Sequence, residues 1–214
     1  LQPAVILNDY AMPLWFVIVL CCIPFILFLP LFSSFRQKYP DAFGYILSLV
    51  GTFVGIIAGL YFTDLAAAND KRKLTVKVLE ASKEEMQWLI NRAKAIDLVT
   101  DTLAQSQRQK YYYLEMPPFF TQTVRTELLS EVLHPKTHEQ FNVIRENLLF
   151  DVDLLRKDVA AKDAQHLDED LKDYKQQLAL AIEVMNNEID LLQHKISTGE
   201  FEQKAKARID SLIK

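Results

Sequence analysis

The chain has 214 residues, half of them hydrophobic, and a formal net charge of −4. That length leaves room for one soluble domain beside a membrane part. The charge is unevenly placed: residues 1–63 carry only Asp9, Arg36, Lys38 and Asp41, and the remainder sets 22 Lys and Arg against 26 Asp and Glu. Such a balance lacks the positive field that duplex nucleic-acid binding requires. The two cysteines, Cys21 and Cys22, are adjacent in an apolar run, which excludes a disulfide framework and a zinc site. Of five glycines only Gly199 lies beyond residue 59, which counts against sheets and turns. The expected fold class is all-α.

Residues 1–13 are short and partly apolar, and an initiating segment is expected before Leu1. Pro13 suits the first turn of a helix. Leu14 to Phe32 carries no charge and reads as a first membrane helix, over about 14–33. Trp15 stands as its interfacial anchor, Pro24 should kink it, and Pro30 marks its end. A cleaved signal peptide is the competing reading. The length of the run, the lack of a basic leader and the poor cleavage site LFSSF oppose it. SSFRQKYPDA, residues 33–42, reads as a short polar connection that joins the first membrane helix to a second in a transmembrane hairpin.

Phe43 to Phe62 is uncharged over 20 residues and predicts that second membrane helix, over about 43–63. At about 1.5 Å per residue it spans about 30 Å, the thickness of a bilayer core. Gly51, Gly55 and Gly59 recur every fourth residue and stack on one side, with Ser48 and Thr52 close to the same face. Small residues let membrane helices approach closely, and hydroxyls can bond across the contact. This glycine zipper either seats the other helix of the same chain or packs copies of the chain together, with a pore as the sharper form. Lys71, Arg72, Lys73 and Lys77 come soon after the span, against Arg36 and Lys38 in the connection. The positive-inside rule then puts the C-terminal part in the cytoplasm of a multi-pass inner-membrane protein.

Residues 64–112 predict a stalk helix that continues from the membrane. Leu79, Ser82, Met86, Leu89, Ala93, Ile96, Thr100 and Leu103 alternate at three and four residues, a heptad seam. It is either a bundle face or a coiled-coil stalk of an oligomer. Residues 113–214 then form a helical cytosolic domain. At the junction, QSQRQKYYYLEMPPFF sets Arg108 and Lys110 beside Tyr111, Tyr112 and Tyr113, and Pro117-Pro118 reads as a break. Cations beside flat aromatic faces are what a phosphate-and-base ligand requires. The alternative is a helix end whose tyrosines cap a small core.

Thr121 or Thr123 is expected to cap a helix reaching about Leu133. Thr137 with Gln140 has the capping-box pattern. The next helix runs from Phe141 to about Asp163 with Phe141, Ile144, Leu148, Val152 and Leu155 on one face. Leu167, Leu171, Tyr174, Leu178, Ala181, Met185 and Leu192 form another face. Gly199 reads as a C-terminal cap. The last helix, Phe201 to Ile213, puts Lys204 and Arg208 on one face, either solvated or turned toward anionic lipid.

No catalytic constellation stands out, so the chain is not expected to be an enzyme, and no cofactor or metal is expected. The histidines read as lying in loops or on charged faces, with His134 and His138 separated by Pro135. Asp151, Asp153, Glu169 and Asp170 read as solvated carboxylates.

In layout, the hairpin Leu14–Phe62 with its helical remainder resembles small prokaryotic membrane effectors of antiphage defence. It is closest to the CRISPR-associated membrane proteins whose helical cytosolic domain binds cyclic tetra-adenylate. The resemblance covers the whole chain as architecture. It implies a homo-oligomer in the lipid bilayer with a cyclic oligonucleotide near its axis, and it makes Arg108, Lys110 and the three tyrosines candidates for that ligand. The membrane part would then disturb the membrane. The competing expectation is a membrane-anchored scaffold that docks a protein partner through its helical faces.

Overall fold

The computed structural model describes Trp15, Ile18, Val19, Cys22 and residues 33–100, 114–161 and 164–212. Among these residues all regular structure is helical, as the glycine-poor composition predicts, and there is no strand. Contacts divide the chain into two units, the second of which takes up the chain at Arg72.

In the first unit, the stretch expected as a connection is itself helical. Helix α1 spans Ser33–Lys38. The helix breaks at Tyr39, and Pro40 opens α2, whose first position tolerates the missing proline N–H. Helix α2 runs without interruption from Pro40 to Thr100, 61 residues. It carries Gly51, Gly55 and Gly59 although each costs about 1 kcal/mol against alanine. Within Pro40–Ile96 it is long and apolar enough to cross a membrane, and only 11% of its apolar window is buried. A core helix of a soluble protein would be mostly buried. Of the first apolar run, Trp15, Ile18, Val19 and Cys22 are helical and exposed, and the rest of Leu14–Phe32 lies outside the described residues.

The second unit holds the hydrophobic core. Leu79, Met86, Leu89, Ala93 and Ile96 of α2 are buried in it, with Ser82 among them, so this part of the heptad seam is buried inside one chain. Leu103 and the side chain of Thr100 lie outside the described residues. Helix α3 spans Pro118–Val124 and α4 spans Glu127–Val132. The break expected at Pro117-Pro118 is present, since residues 114–117 are non-helical, and Pro118 then opens α3 because proline fits the first helical position. Neither Thr121 nor Thr123 caps it. The Thr121 hydroxyl donates back to Pro117 O at 2.8 Å.

Helix α5 spans Pro135–Ala161 and α6 spans Ala164–Leu192, and the two form the main helix pair of the unit. Phe141, Ile144, Leu148, Val152 and Leu155 of α5 are buried, as are Leu167, Leu171, Tyr174, Leu178, Ala181, Met185 and Leu192 of α6. Each buried Leu, Ile or Phe contributes about 1.5–3 kcal/mol. Phe120 of α3 meets Phe141 edge to face, centroids 5.5 Å apart, which locks α3 onto the pair. Helix α7 spans Thr198–Leu212 and buries Phe201 and Ala205.

The α6–α7 corner departs from the expected glycine cap. Gly199 sits in the first turn of α7, and no glycine has a positive φ. The left-handed residue is His194, with φ 58°. Lys195 N–H donates to Asp190 O at 2.8 Å and His194 N–H to Leu191 O at 3.0 Å, the bond pair of a Schellman motif. Ser197 then caps α7, its Oγ accepting the Glu200 N–H at 3.2 Å.

Candidate functional site

The candidate membrane-packing residues lie on one exposed stretch of α2. A Cβ built on Gly51, Gly55 or Gly59 meets no atom of the described residues within 4 Å. Tyr45, Ser48, Leu49, Thr52, Phe53 and Ile56 line a shallow apolar groove nearby. Large apolar side chains such as Phe53, 61% exposed, surround the smooth strip. The Thr52 hydroxyl donates to Ser48 O and the Thr63 hydroxyl to Gly59 O, each at 2.9 Å. These donors are thus satisfied inside the helix, as they must be in lipid.

Arg108, Lys110, Tyr111, Tyr112 and Tyr113 lie outside the described residues. The chain leaves them through an anchored exit. Leu114 is buried, and the Tyr174 hydroxyl donates to Glu115 O at 2.9 Å. Burial pushes the Tyr174 phenol well above its ordinary range. Arg92 of α2 pairs with the Glu115 carboxylate at 3.8 Å and stacks on Trp88, 5.4 Å from the ring centre. Glu85 accepts the N–H groups of Phe119 at 3.0 Å and Phe120 at 2.9 Å. A carboxylate from α2 therefore caps α3, where the helix dipole favours it.

A second such cap orders the other end of the unit. Glu188 of α6 accepts the His134 N–H at 2.9 Å and the Thr137 hydroxyl. The expected Thr137–Gln140 capping box is thus replaced. Thr137 turns to Glu188, and Gln140 Nε2 donates to Ala205 O at 3.2 Å. Burial raises the Glu188 pKa, and its two hydrogen bonds oppose the rise. His134 lies in the loop before α5, as the sequence suggests. Its side chain is buried, its ring lies 4.8 Å from that of Phe201, and its Nδ1 accepts the Lys136 N–H at 3.3 Å. Nε2 then carries the proton and points to Glu202 at 3.7 Å. Burial lowers the His134 pKa.

Two carboxylates expected in solvent sit instead between α5 and α6. Asp151 is 9% exposed, and among the described residues its Oδ2 has no hydrogen-bond partner, nor has Oδ2 of Asp170. Burial, then the charge of Asp173, raises the Asp151 pKa to about 6. Burial, then a hydrogen bond with Asp158, raises that of Asp170 to about 6. Among the described residues no three His, Cys, Asp or Glu side chains are placed to hold a metal ion.

Sequence reading missed Glu188 and Asp151, although the signal was present. Glu188 continues the three-and-four spacing of Tyr174, Leu178, Ala181 and Met185, and Asp151 that of Phe141, Ile144 and Leu148. A carboxylate on a heptad seam is a buried carboxylate unless the seam ends there. Compared with protein-family models, curated proteins and solved structures, the chain matches none.

Proposed function

We propose that the chain is a membrane effector that assembles with copies of itself through the glycine strip of α2, channel-like, and gated by its helical cytosolic unit. In this reading Leu14–Phe32 is a second membrane helix that completes a hairpin, and the second unit lies in the cytoplasm. A cyclic oligonucleotide bound through Arg108, Lys110 and Tyr111–Tyr113 is the gating ligand, in keeping with the antiphage effectors the layout resembles. No catalytic step is assigned.

The observation that carries the reading is three glycines in register on an apolar helix, Gly51, Gly55 and Gly59, over which none of the described residues lies within 4 Å. Helix stability gives no reason for three glycines in register, and close packing does. The test is the mass of the detergent-solubilised chain by light scattering, beside Gly55→Leu. A defined multiple of 24.7 kDa that falls to one chain in Gly55→Leu is the expected result. A monomeric parent would sink the assembly.

A second reading, a membrane-anchored scaffold, has its own support. The seam from Leu79 to Ile96 is buried within one chain, so this segment needs no copies to satisfy it. A monomer in detergent that recovers a defined protein partner would favour it.

A further inference from the structure

The corner between α6 and α7 places a titratable side chain where the backbone favours glycine. His194 holds φ 58°, a conformation that costs a residue with a Cβ free energy that glycine avoids. Its imidazole reaches α2: a guanidinium nitrogen of Arg72 lies 2.7 Å from Nε2. Arginine can only donate, so Nε2 accepts, and the proton of the neutral ring is on Nδ1. The contact joins the end of α6 to the residue with which the second unit takes up α2, ten positions after the uncharged run Phe43–Phe62.

The chemistry of this pair allows one protonation state. A protonated imidazole has two donors and no acceptor, so the bond to Arg72 is lost and two cations face each other. On α2, Asp70, Lys71 and Lys73 flank Arg72 in the sequence, and the charged side chains of the corner pair with one another. On its own turn Asp190 pairs with Lys195 at 3.3 Å, and on α7 Glu200 pairs with Lys204 at 3.0 Å. A permanent tie to arginine needs only a carboxylate, in a chain with 28 of them against 24 Lys and Arg. Histidine instead is the side chain whose ordinary titration falls between about pH 5 and 8.

We infer that His194 and Arg72 form a proton-operated clasp, closed while the imidazole is neutral and released when it takes a proton. Release frees the α6–α7 corner from the segment of α2 just beyond the apolar span. The clasp works in the same way whether the second unit gates a pore or docks a partner.

The test is amide hydrogen exchange on the full chain in detergent at about pH 8 and about pH 5.5, corrected for the intrinsic pH dependence of exchange. Peptides over residues 189–197 should lose roughly tenfold protection at the lower pH. Peptides over residues 171–185 should hold theirs. His194→Gln keeps a neutral acceptor and should show no pH step in the corner. His194→Gly suits the left-handed backbone but removes the acceptor, and should be open at both pH values. Equal protection of the parent corner at both pH values would overturn the clasp. So would the same step in His194→Gln, a closed corner in His194→Gly at about pH 8, or an equal loss over residues 171–185.

Discussion

The Thr137 hydroxyl donates to the carboxylate of Glu188, a residue on another helix and 51 positions away. With the His134 N–H on the second oxygen, this one side chain satisfies the start of α5 from outside it. Removing it leaves a buried hydroxyl and a buried N–H without an acceptor. Glu188→Ala should therefore cost about 3 kcal/mol, more than its lost contacts alone. Urea unfolding monitored by circular dichroism measures it. A loss under about 0.5 kcal/mol would show that water replaces the cap.

Asp151 sets a pH dependence whose sign can be worked out. Its folded pKa, about 6, lies above the ordinary carboxylate value of about 3.9. The stability it contributes is fully present below the unfolded value and is lost as the pH rises through the folded one. Stability of the helical unit should thus decline between about pH 4 and about pH 6. Asp151→Asn should flatten that decline and raise stability at about pH 7 by roughly 1–3 kcal/mol. An unchanged slope in the variant would assign the decline to other groups.

Glu85 and Tyr174 anchor the exit of the basic-aromatic segment from two sides. Tyr174→Phe removes one hydrogen bond at nearly constant volume and should cost about 1 kcal/mol. Glu85→Ala leaves the first N–H groups of α3 without their acceptor and should cost about 1–2 kcal/mol. The two act on neighbouring stretches of one chain segment, so their effects should couple. Strict additivity in a double-mutant cycle would mean that the two anchors hold independent structures.

Gly55→Ala separates the local from the assembled role of the strip. The added methyl meets no atom of the described residues within 4 Å, and alanine is the better helix former by about 1 kcal/mol. Helicity should rise or hold. Association through the strip should weaken, because a Cβ holds two backbones apart. If the detergent-solubilised mass and its concentration dependence do not move, the strip is not a contact between copies.

The apolar seams were legible in the sequence because leucines and aromatics at three-and-four spacing have one stable placement, inward. Phe141 to Leu155 and Leu167 to Leu192 are buried on that account. Polar residues were misplaced where tertiary partners overrule local rules. Asp151 looked solvated, and Thr137 looked like a cap. Each is settled by a neighbour distant in sequence. His194 was missed because a left-handed corner was sought at glycine, and the nearest glycine lies five residues on. The strip of Gly51, Gly55 and Gly59 was plain in the spacing. What covers it is not encoded in spacing at all.

Capping a helix from a distant carboxylate also imposes an order of manufacture. Helix α5 begins at Pro135, but the group that completes its first turn arrives only with Glu188. A ribosome must deliver more than fifty further residues before that turn is sealed, whereas α3 finds Glu85 already made. The cap of α3 can therefore form as soon as that helix is made, whereas the cap of α5 waits on α6. A chain stalled or cut before residue 188 should leave α5 frayed at its start.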